Sequence, residues 1–157
     1  MAIIKDEKKR SEIVGMLTQA YWMEIETVMS YIANSIDPDG VRAEEIKKSL
    51  AADIADELGH AQLFGKRIKE LYGRVPGSFE FKASQKTLQP PTDTTDVVSV
   101  IKGVIDAEAG AIDFYTKIIK VCEDVDYATQ DMVIQILKDE ERHLRLFEGF
   151  LKEYEKR

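Results

Sequence analysis

Two pairs of acidic and imidazole side chains in this sequence have a spacing that suits metal binding. Glu57 precedes His60 by three residues, and Glu140 precedes His143 by the same interval. Residues three apart on a helix lie on one face, so the two side chains of each pair point in a common direction. The two motifs contain both histidines of the chain. This coincidence favours one shared metal site over two chance pairs on helix surfaces.

A lone glutamate and a tyrosine accompany each pair. Glu24 is followed seven residues later by Tyr31, and Glu108 is followed seven residues later by Tyr115. Each lone glutamate precedes its Glu-x-x-His motif by a similar interval, 33 residues in the first half of the chain and 32 in the second. The sequence therefore predicts two similar halves related by a pseudo-twofold axis. Each tyrosine is either an ordinary core residue or a hydrogen-bond donor to a ligand carboxylate.

Long amphipathic helices are needed to position these side chains. Apolar residues recur with a helical period in four segments, which predicts helices over about 6–36, 42–72, 95–123 and 126–155. All four prolines of the chain lie between these segments, where they do not interrupt a helix. The apolar stripe of every predicted helix is broken by one of the glutamates or by a Glu-x-x-His pair. No segment alternates with the period of a strand, so no sheet is expected.

The connections between the predicted helices indicate the topology. The first two helices and the last two are joined by short turns, which makes each pair an antiparallel hairpin. The connection from Gly73 to about Thr95 is long enough to run along the whole bundle. A long crossover between two helical hairpins is the ferritin-like arrangement. We therefore predict an all-α, ferritin-like antiparallel four-helix bundle that forms a single domain over residues 1–157.

Composition excludes several classes of protein. The chain of 157 residues is 44% hydrophobic and 32% charged, which is typical of a globular protein. It carries 22 Lys and Arg against 29 Asp and Glu, and the net charge of -7 disfavours nucleic acid and favours cations as partners. A single cysteine excludes an internal disulfide framework and a Cys-rich metal site. No membrane span or signal sequence is evident, so a cytoplasmic location is expected.

Charge balance indicates what the predicted centre binds. Four glutamates on apolar stripes would be costly to bury without positive charge, and no Lys or Arg lies on these stripes at the same level. Two divalent cations would neutralise four carboxylates, with two neutral imidazoles completing the set. Mixed carboxylate and imidazole ligation favours iron or manganese, and the absence of thiolates disfavours a structural zinc site.

Several other polar residues have two interpretations. Asp56 and Asp139, which directly precede the motif glutamates, either accept a hydrogen bond from a histidine of a neighbouring helix or are solvated. Cys122 lies on the third apolar stripe and is expected to be a small core residue. Three glutamates off the stripes are expected to be solvated: Glu26, Glu44 and Glu45.

These motifs resemble the ferritin-like superfamily of carboxylate-bridged di-iron proteins, and bacterioferritins most closely, over essentially the whole chain. The segment 130–143, QDMVIQILKDEERH, is similar to the bacterioferritin sequence RDMMIEILRDEExH. The resemblance implies two iron ions per chain, which manganese or zinc can replace. It implies terminal ligands Glu24 and Glu108, bridging ligands Glu57 and Glu140, and one histidine, His60 or His143, on each metal.

Departures from the bacterioferritin pattern alter some expectations. Leu58 stands where that family has the methionine that binds haem, so no haem is expected there. The chain ends 14 residues after His143 and shows no fifth helix, which favours a dimer or a small shell over the large ferritin shell. No Cys-x-x-Cys pair of a rubredoxin domain is present. Ala111 occupies the place of the extra carboxylate that rubrerythrins usually carry.

The function implied by the resemblance is a ferroxidase that oxidises Fe(II) with O2 or H2O2 for iron storage or detoxification. The main alternative is a rubrerythrin-like peroxidase, in which iron stays in place and an external donor returns electrons. A non-redox bundle holding zinc or manganese and a di-iron oxygenase are further alternatives. Fe(II), the oxidant and further copies of the same chain are the expected partners.

Overall fold

The computed structural model describes residues 2–156, and this part of the chain contains four long helices and no strand. The helices are α1 (Glu7–Ile36), α2 (Glu44–Glu70), α3 (Val97–Cys122) and α4 (Tyr127–Tyr154). The predicted all-α fold is confirmed. Helix α2 begins later than expected because a 3-10 turn, Val41–Ala43, occupies the preceding residues.

Aspartates determine where three of the helices begin. The side chain of Asp6 accepts a hydrogen bond from the backbone N–H of Lys9 at 3.0 Å, and Asp96 caps α3 in the same way. Asp126 accepts from the backbone N–H of Thr129 at 3.1 Å, so the break predicted near Glu123 to Asp126 is the start of α4. Each cap satisfies a backbone donor that the first turn of a helix leaves free.

The helices pack as two hairpins. Helix α1 packs along α2, and α3 packs along α4, while α1 also contacts α3 and α2 contacts α4. The apolar core is divided into two clusters, one around Leu17, Phe64 and Ile118 and the other around Leu50 and Ile101. Between the clusters lies a layer of buried polar side chains. The bundle therefore holds its charged groups at mid-height, between two apolar regions.

The segment from α2 to α3 runs the length of the bundle. Its first residues stay at the end of α2, where the backbone N–H of Gly73 donates to the carbonyl of Ile68 at 2.9 Å. Its last residues reach the opposite end, where the backbone N–H of Asp39, between α1 and α2, donates to the carbonyl of Thr94 at 2.8 Å. The predicted crossover between the two hairpins is confirmed.

The crossover overturns one expectation about an acidic residue. Glu26 was expected to be solvated, but only 7% of it is exposed. Its carboxylate accepts hydrogen bonds from the backbone N–H groups of Ser84 at 2.9 Å and Gln85 at 2.6 Å. The prediction was wrong because the crossover covers this outer face of α1. Glu44 and Glu45 are exposed, as expected.

The structure also shows the burial of two further residues, Cys122 and Ile32. Cys122 is fully buried at the end of α3, which confirms it as a core residue. Ile32 lies one residue after the buried Tyr31 of α1 and is 43% exposed, so the buried stripe of this helix is narrow at that level. None of the helices in residues 2–156 combines the length and the apolar character that crossing a membrane requires.

Candidate metal centre

Each helix brings one part of the predicted centre to the polar layer at mid-height. The six side chains, each between 0% and 4% exposed, are Glu24 from α1, Glu57 and His60 from α2, Glu108 from α3, and Glu140 and His143 from α4. Because both Glu-x-x-His pairs face inward from neighbouring helices, the two imidazoles and four carboxylates form one cluster.

The first half of the cluster surrounds His60. Its Nδ1 lies 3.0 Å from Oε1 of Glu140, 3.7 Å from Oε1 of Glu24 and 3.8 Å from Oε2 of Glu57. One ligand atom from each of these four residues lies within 4.8 Å of all the others. Four donors so close together could hold one cation.

The second half surrounds His143. Its Nδ1 lies 3.1 Å from Oε1 of Glu57 and 3.7 Å from Oε1 of Glu108. These three residues and Glu140 form a second group whose ligand atoms lie within 4.8 Å of one another. Glu57 and Glu140 thus belong to both groups. The geometry suits two cations side by side with these two carboxylates between them.

The two buried tyrosines link the halves. The hydroxyl of Tyr31 on α1 donates to Oε1 of Glu108 on α3 at 2.6 Å. The hydroxyl of Tyr115 on α3 donates in turn to Oε1 of Glu24 on α1. Each tyrosine therefore contacts the glutamate of the other hairpin rather than the one seven residues before it. Both hydrogen bonds orient a carboxylate of the cluster.

Aspartates lie behind the imidazoles on the α2/α4 side. Nε2 of His60 lies 2.9 Å from Oδ2 of Asp139, which therefore accepts from the imidazole of a neighbouring helix. Nε2 of His143 lies 3.4 Å from Oδ2 of Asp56 and 3.5 Å from Oδ1 of Asp53. Asp53 was missed in the sequence, although its position four residues before a motif glutamate places it on the same helix face.

Buried polar atoms that lack hydrogen-bond partners indicate whether the cluster is suited to binding cations. Among the described residues, eight buried nitrogen and oxygen atoms of the six side chains have no hydrogen-bond partner. They include both carboxylate oxygens of Glu57 and Nδ1 of each histidine, which all face the centre of the cluster. Buried polar atoms without partners are costly, and a bound cation would satisfy them. The residues present fit a pair of divalent cations.

Electrostatics support the same conclusion. Burial raises the pKa of Glu24 and of Glu140 well above the usual range, and neighbouring carboxylates raise both further. Burial by itself would lower the pKa of His143, but hydrogen bonds with Glu108 and Glu57 outweigh it and raise the pKa to about 10. The cluster therefore recruits protons when no other positive charge is supplied. Divalent cations would supply that charge and displace the protons.

Comparisons with known proteins show what this chain is similar to. Residues 15–157 match the Ferritin family, described as a ferritin-like domain. A bacterioferritin of Desulfovibrio desulfuricans is 27% identical over 144 residues, covering 91% of this chain and 76% of the relative. A DNA protection during starvation protein of Pyrococcus furiosus is 27% identical over 143 residues, covering 89% of this chain and 77% of the relative.

A solved structure shows the same fold. The bacterioferritin-related protein of Bacteroides fragilis, described as a dodecameric thioferritin, superposes with a TM-score of 0.84 at 24% identity. The match covers 92% of this chain and 87% of that protein. The arrangement of two hairpins and a crossover is therefore common to both.

Proposed function

Because this chain belongs to the ferritin-like domain family, we propose that it is a di-iron ferroxidase of the bacterioferritin kind. In this proposal it oxidises Fe(II) with O2 or H2O2 for iron storage or detoxification. The observation that carries the proposal is the pair of buried ligand groups that share Glu57 and Glu140. Such a centre holds two metal ions close enough to deliver two electrons to one oxidant molecule.

Each residue of the cluster has a proposed role. Glu24 and His60 would hold one iron, and Glu108 and His143 would hold the other, while the shared glutamates Glu57 and Glu140 would serve as ligands to both. Tyr115 and Tyr31 hold the two terminal glutamates in place by donating to Oε1 of each. The proposed ligand set supplies four negative charges and two neutral imidazoles, which balances two Fe(II) ions. Manganese or zinc would satisfy the same charge balance.

The proposed reaction balances without a further protein cofactor. Two Fe(II) ions each lose one electron, and O2 takes up both electrons with two protons to give H2O2. With H2O2 as oxidant, the two electrons and two protons give two molecules of water. The net charge of -7 favours the approach of Fe(II) to the protein over that of anions.

Assembly and location belong to the same proposal. The described dodecamer of the Bacteroides fragilis protein supports a homo-oligomer, either a dimer or a shell. A shell would enclose a cavity for oxidised iron, whereas a dimer would not. We place the protein in the cytoplasm, where Fe(II) is available as substrate.

Iron loading tests the proposal. The full-length chain is mixed anaerobically with two equivalents of Fe(II), and O2 is then admitted while the near-ultraviolet absorbance of Fe(III) is followed. We expect rapid oxidation in the wild-type chain. The double variant Glu57→Ala, Glu140→Ala, which removes both shared carboxylates, should oxidise iron no faster than buffer. Equal rates in the two chains would contradict the proposed site.

The fate of the iron separates the ferroxidase from its alternatives. Accumulation of more than two irons per chain, with particle size measured by light scattering, would support storage. Fast turnover with H2O2 and a reductant, without accumulation, would support a rubrerythrin-like peroxidase. Tight binding of zinc with no oxidation of Fe(II) would instead support a structural metal bundle.

A further inference from the structure

The two helices that carry the Glu-x-x-His motifs, α2 and α4, belong to different hairpins. They share far less backbone contact than the two helices within either hairpin do. At mid-height they meet through the carboxylates and imidazoles of the candidate centre itself. Beside the centre, Arg142 on α4 pairs with Asp56 on α2 at 3.4 Å, but its side chain is 65% exposed, so this ion pair contributes little. A level arrangement of the two shared glutamates therefore needs support from elsewhere.

A buried arginine links the same two helices near one end of the bundle. The side chain of Arg67 on α2 is 9% exposed. Its Nε donates to Oγ1 of Thr129 at 2.8 Å, and its Nη2 donates to Oδ1 of Asp126 at 2.9 Å. Its Nη1 donates to Oε2 of Glu70 at 2.7 Å, within α2 itself. All three nitrogens of the guanidinium are thus engaged, two of them at the start of α4.

The acceptors of Arg67 are fixed in place by α4. Asp126 caps this helix, and its carboxylate accepts hydrogen bonds from the backbone N–H of Thr129 at 3.1 Å and from the hydroxyl of the same residue. The side chain of Asp126 is 3% exposed, and Thr129 is fully buried. The guanidinium therefore contacts an ordered first turn of α4. Hydrogen bonds are directional, whereas the apolar contacts around them tolerate small slides of one helix along the other.

The spacing along the two helices relates this link to the centre. Arg67 lies ten residues after Glu57 on α2, and Thr129 lies eleven residues before Glu140 on α4. Because the end of α2 lies beside the start of α4, both intervals extend toward the same end of the bundle. At a rise of about 1.5 Å per residue, the intervals measure about 15 Å and about 17 Å. A contact between Arg67 and Thr129 thus brings the two shared glutamates to nearly the same level.

We propose that Arg67 is a positioning residue for the candidate centre. By joining the end of α2 to the first turn of α4, it fixes the axial register of the two helices. It thereby holds Glu57 and Glu140 level, where each belongs to both ligand groups. A buried ion pair is often a poor source of stability, but buried polar groups between helices can specify register. The inference rests on the proposed function, because it concerns the spacing of the two proposed ions.

Three variants separate register from stability. Arg67→Met removes the link but leaves the carboxylate of Asp126 buried without its cation, so the free energy of unfolding should fall. The double variant Arg67→Met, Asp126→Asn removes both charges, and asparagine still caps the helix, so much of that loss should be restored. Arg74→Met is the control, because it removes the same charge from a crossover arginine whose side chain is 77% exposed.

Anaerobic addition of two equivalents of Mn(II) to the full-length chain tests the proposal by electron paramagnetic resonance. Two Mn(II) ions that share carboxylates give an exchange-coupled spectrum, whereas ions without shared ligands give the hyperfine pattern of isolated Mn(II). We expect the coupled spectrum in the wild type and in Arg74→Met. Both chains that lack Arg67 should show mainly the isolated pattern. Their affinity for the second ion should fall between about 10- and 100-fold, the range for residues that support metal ligands.

The double variant provides the decisive comparison, with stability measured by denaturant unfolding. If it is more stable than Arg67→Met yet lacks the coupled spectrum, Arg67 acts on the spacing of the ions and not only on the stability of the fold. The inference is overturned if the coupled spectrum returns together with stability, or if Arg67→Met retains it. In those cases the wild type still binds a coupled pair, so the proposed function stands. A wild type that binds no coupled pair of Mn(II) ions would overturn the proposed centre and this inference together.

Discussion

The two hairpins match closely inside the bundle and differ outside it. On the inside, Tyr31 donates to Glu108 and Tyr115 donates to Glu24, so each hairpin holds a carboxylate of the other. On the outside, His60 has a hydrogen bond to Asp139, whereas Nε2 of the matching His143 has none in residues 2–156.

This difference reflects the surroundings of the two sets of contacts. The tyrosines and glutamates are buried between two apolar clusters, where an unpaired polar group is costly, so both halves need the same hydrogen bond. The outer aspartates are partly exposed and water can replace a missing partner. Symmetry is therefore required near the proposed metals and relaxed at the surface.

The largest expected effect is on metal binding. It distinguishes the glutamates that belong to both ligand groups from those that belong to only one. Glu140→Ala removes a ligand from both halves, so both bound Mn(II) ions should be lost. The rate of Fe(II) oxidation should fall by more than about 100-fold, which is the largest loss expected for mutating a residue that only contacts a metal ligand. Glu24→Ala and Glu108→Ala each remove a ligand from one half, and each should leave one bound ion. The number of metal ions that each variant retains per chain is measured after desalting. Glu141→Ala, an exposed neighbour, is the control, and a Glu140→Ala chain that retains two ions would contradict the assignment.

The tyrosines test the symmetry of the interior. Tyr31→Phe and Tyr115→Phe each remove one hydroxyl donor from a buried carboxylate, so each should lower the free energy of unfolding by about 1 to 3 kcal/mol. The two losses should be equal, because the two environments match. Denaturant unfolding at one protein concentration measures them. Losses that differ by more than the experimental error would show that the halves are not equivalent inside.

The aspartates test the asymmetry outside. Asp139→Ala removes the acceptor that orients His60, and the affinity for Mn(II) should fall between about 10- and 100-fold. Asp56→Ala should cost less than about 10-fold, because Asp56 lies farther from His143 and Asp53 remains beside it. Anaerobic titration of each variant gives the two values. A larger loss of Mn(II) affinity in Asp56→Ala than in Asp139→Ala would contradict the proposed difference between the two hairpins.

The smallest effect concerns Cys122, at the far end of α3 from the crossover. Burial raises the pKa of its thiol to about 12. The thiol therefore stays protonated at mildly alkaline pH, where only the unfolded chain, with a pKa of about 8.5, forms thiolate. The stability that this protonation contributes is complete below the unfolded pKa and is lost as pH rises toward the folded one.

Alkylation followed by mass spectrometry checks whether the thiol of Cys122 is buried and protonated in the folded protein. The native chain at mildly alkaline pH should react far more slowly than the chain in denaturant. Equal rates would mean that the thiol is accessible in the folded protein, contrary to its burial.

Much of the fold followed from local patterns. The helices were predictable because apolar residues recur with a period of 3.6 and prolines lie only in the connections. The starts of α1, α3 and α4 coincide with aspartates that cap them. The burial of Glu26 was not predictable, because its partners Ser84 and Gln85 lie 58 and 59 residues away on a segment without periodicity.

For the candidate centre, the amino-acid sequence alone predicts which side chains face inward and at what level. Helical spacing ties Glu57 to His60 and Glu140 to His143, and repetition in both halves places them at one height. The packing of the helices, which no single helix reveals, places Glu57 and Glu140 in both ligand groups and brings Arg142 between Asp56 and Asp139. Spacing along one helix determines the direction of a side chain, whereas contacts between helices depend on how the two hairpins pack.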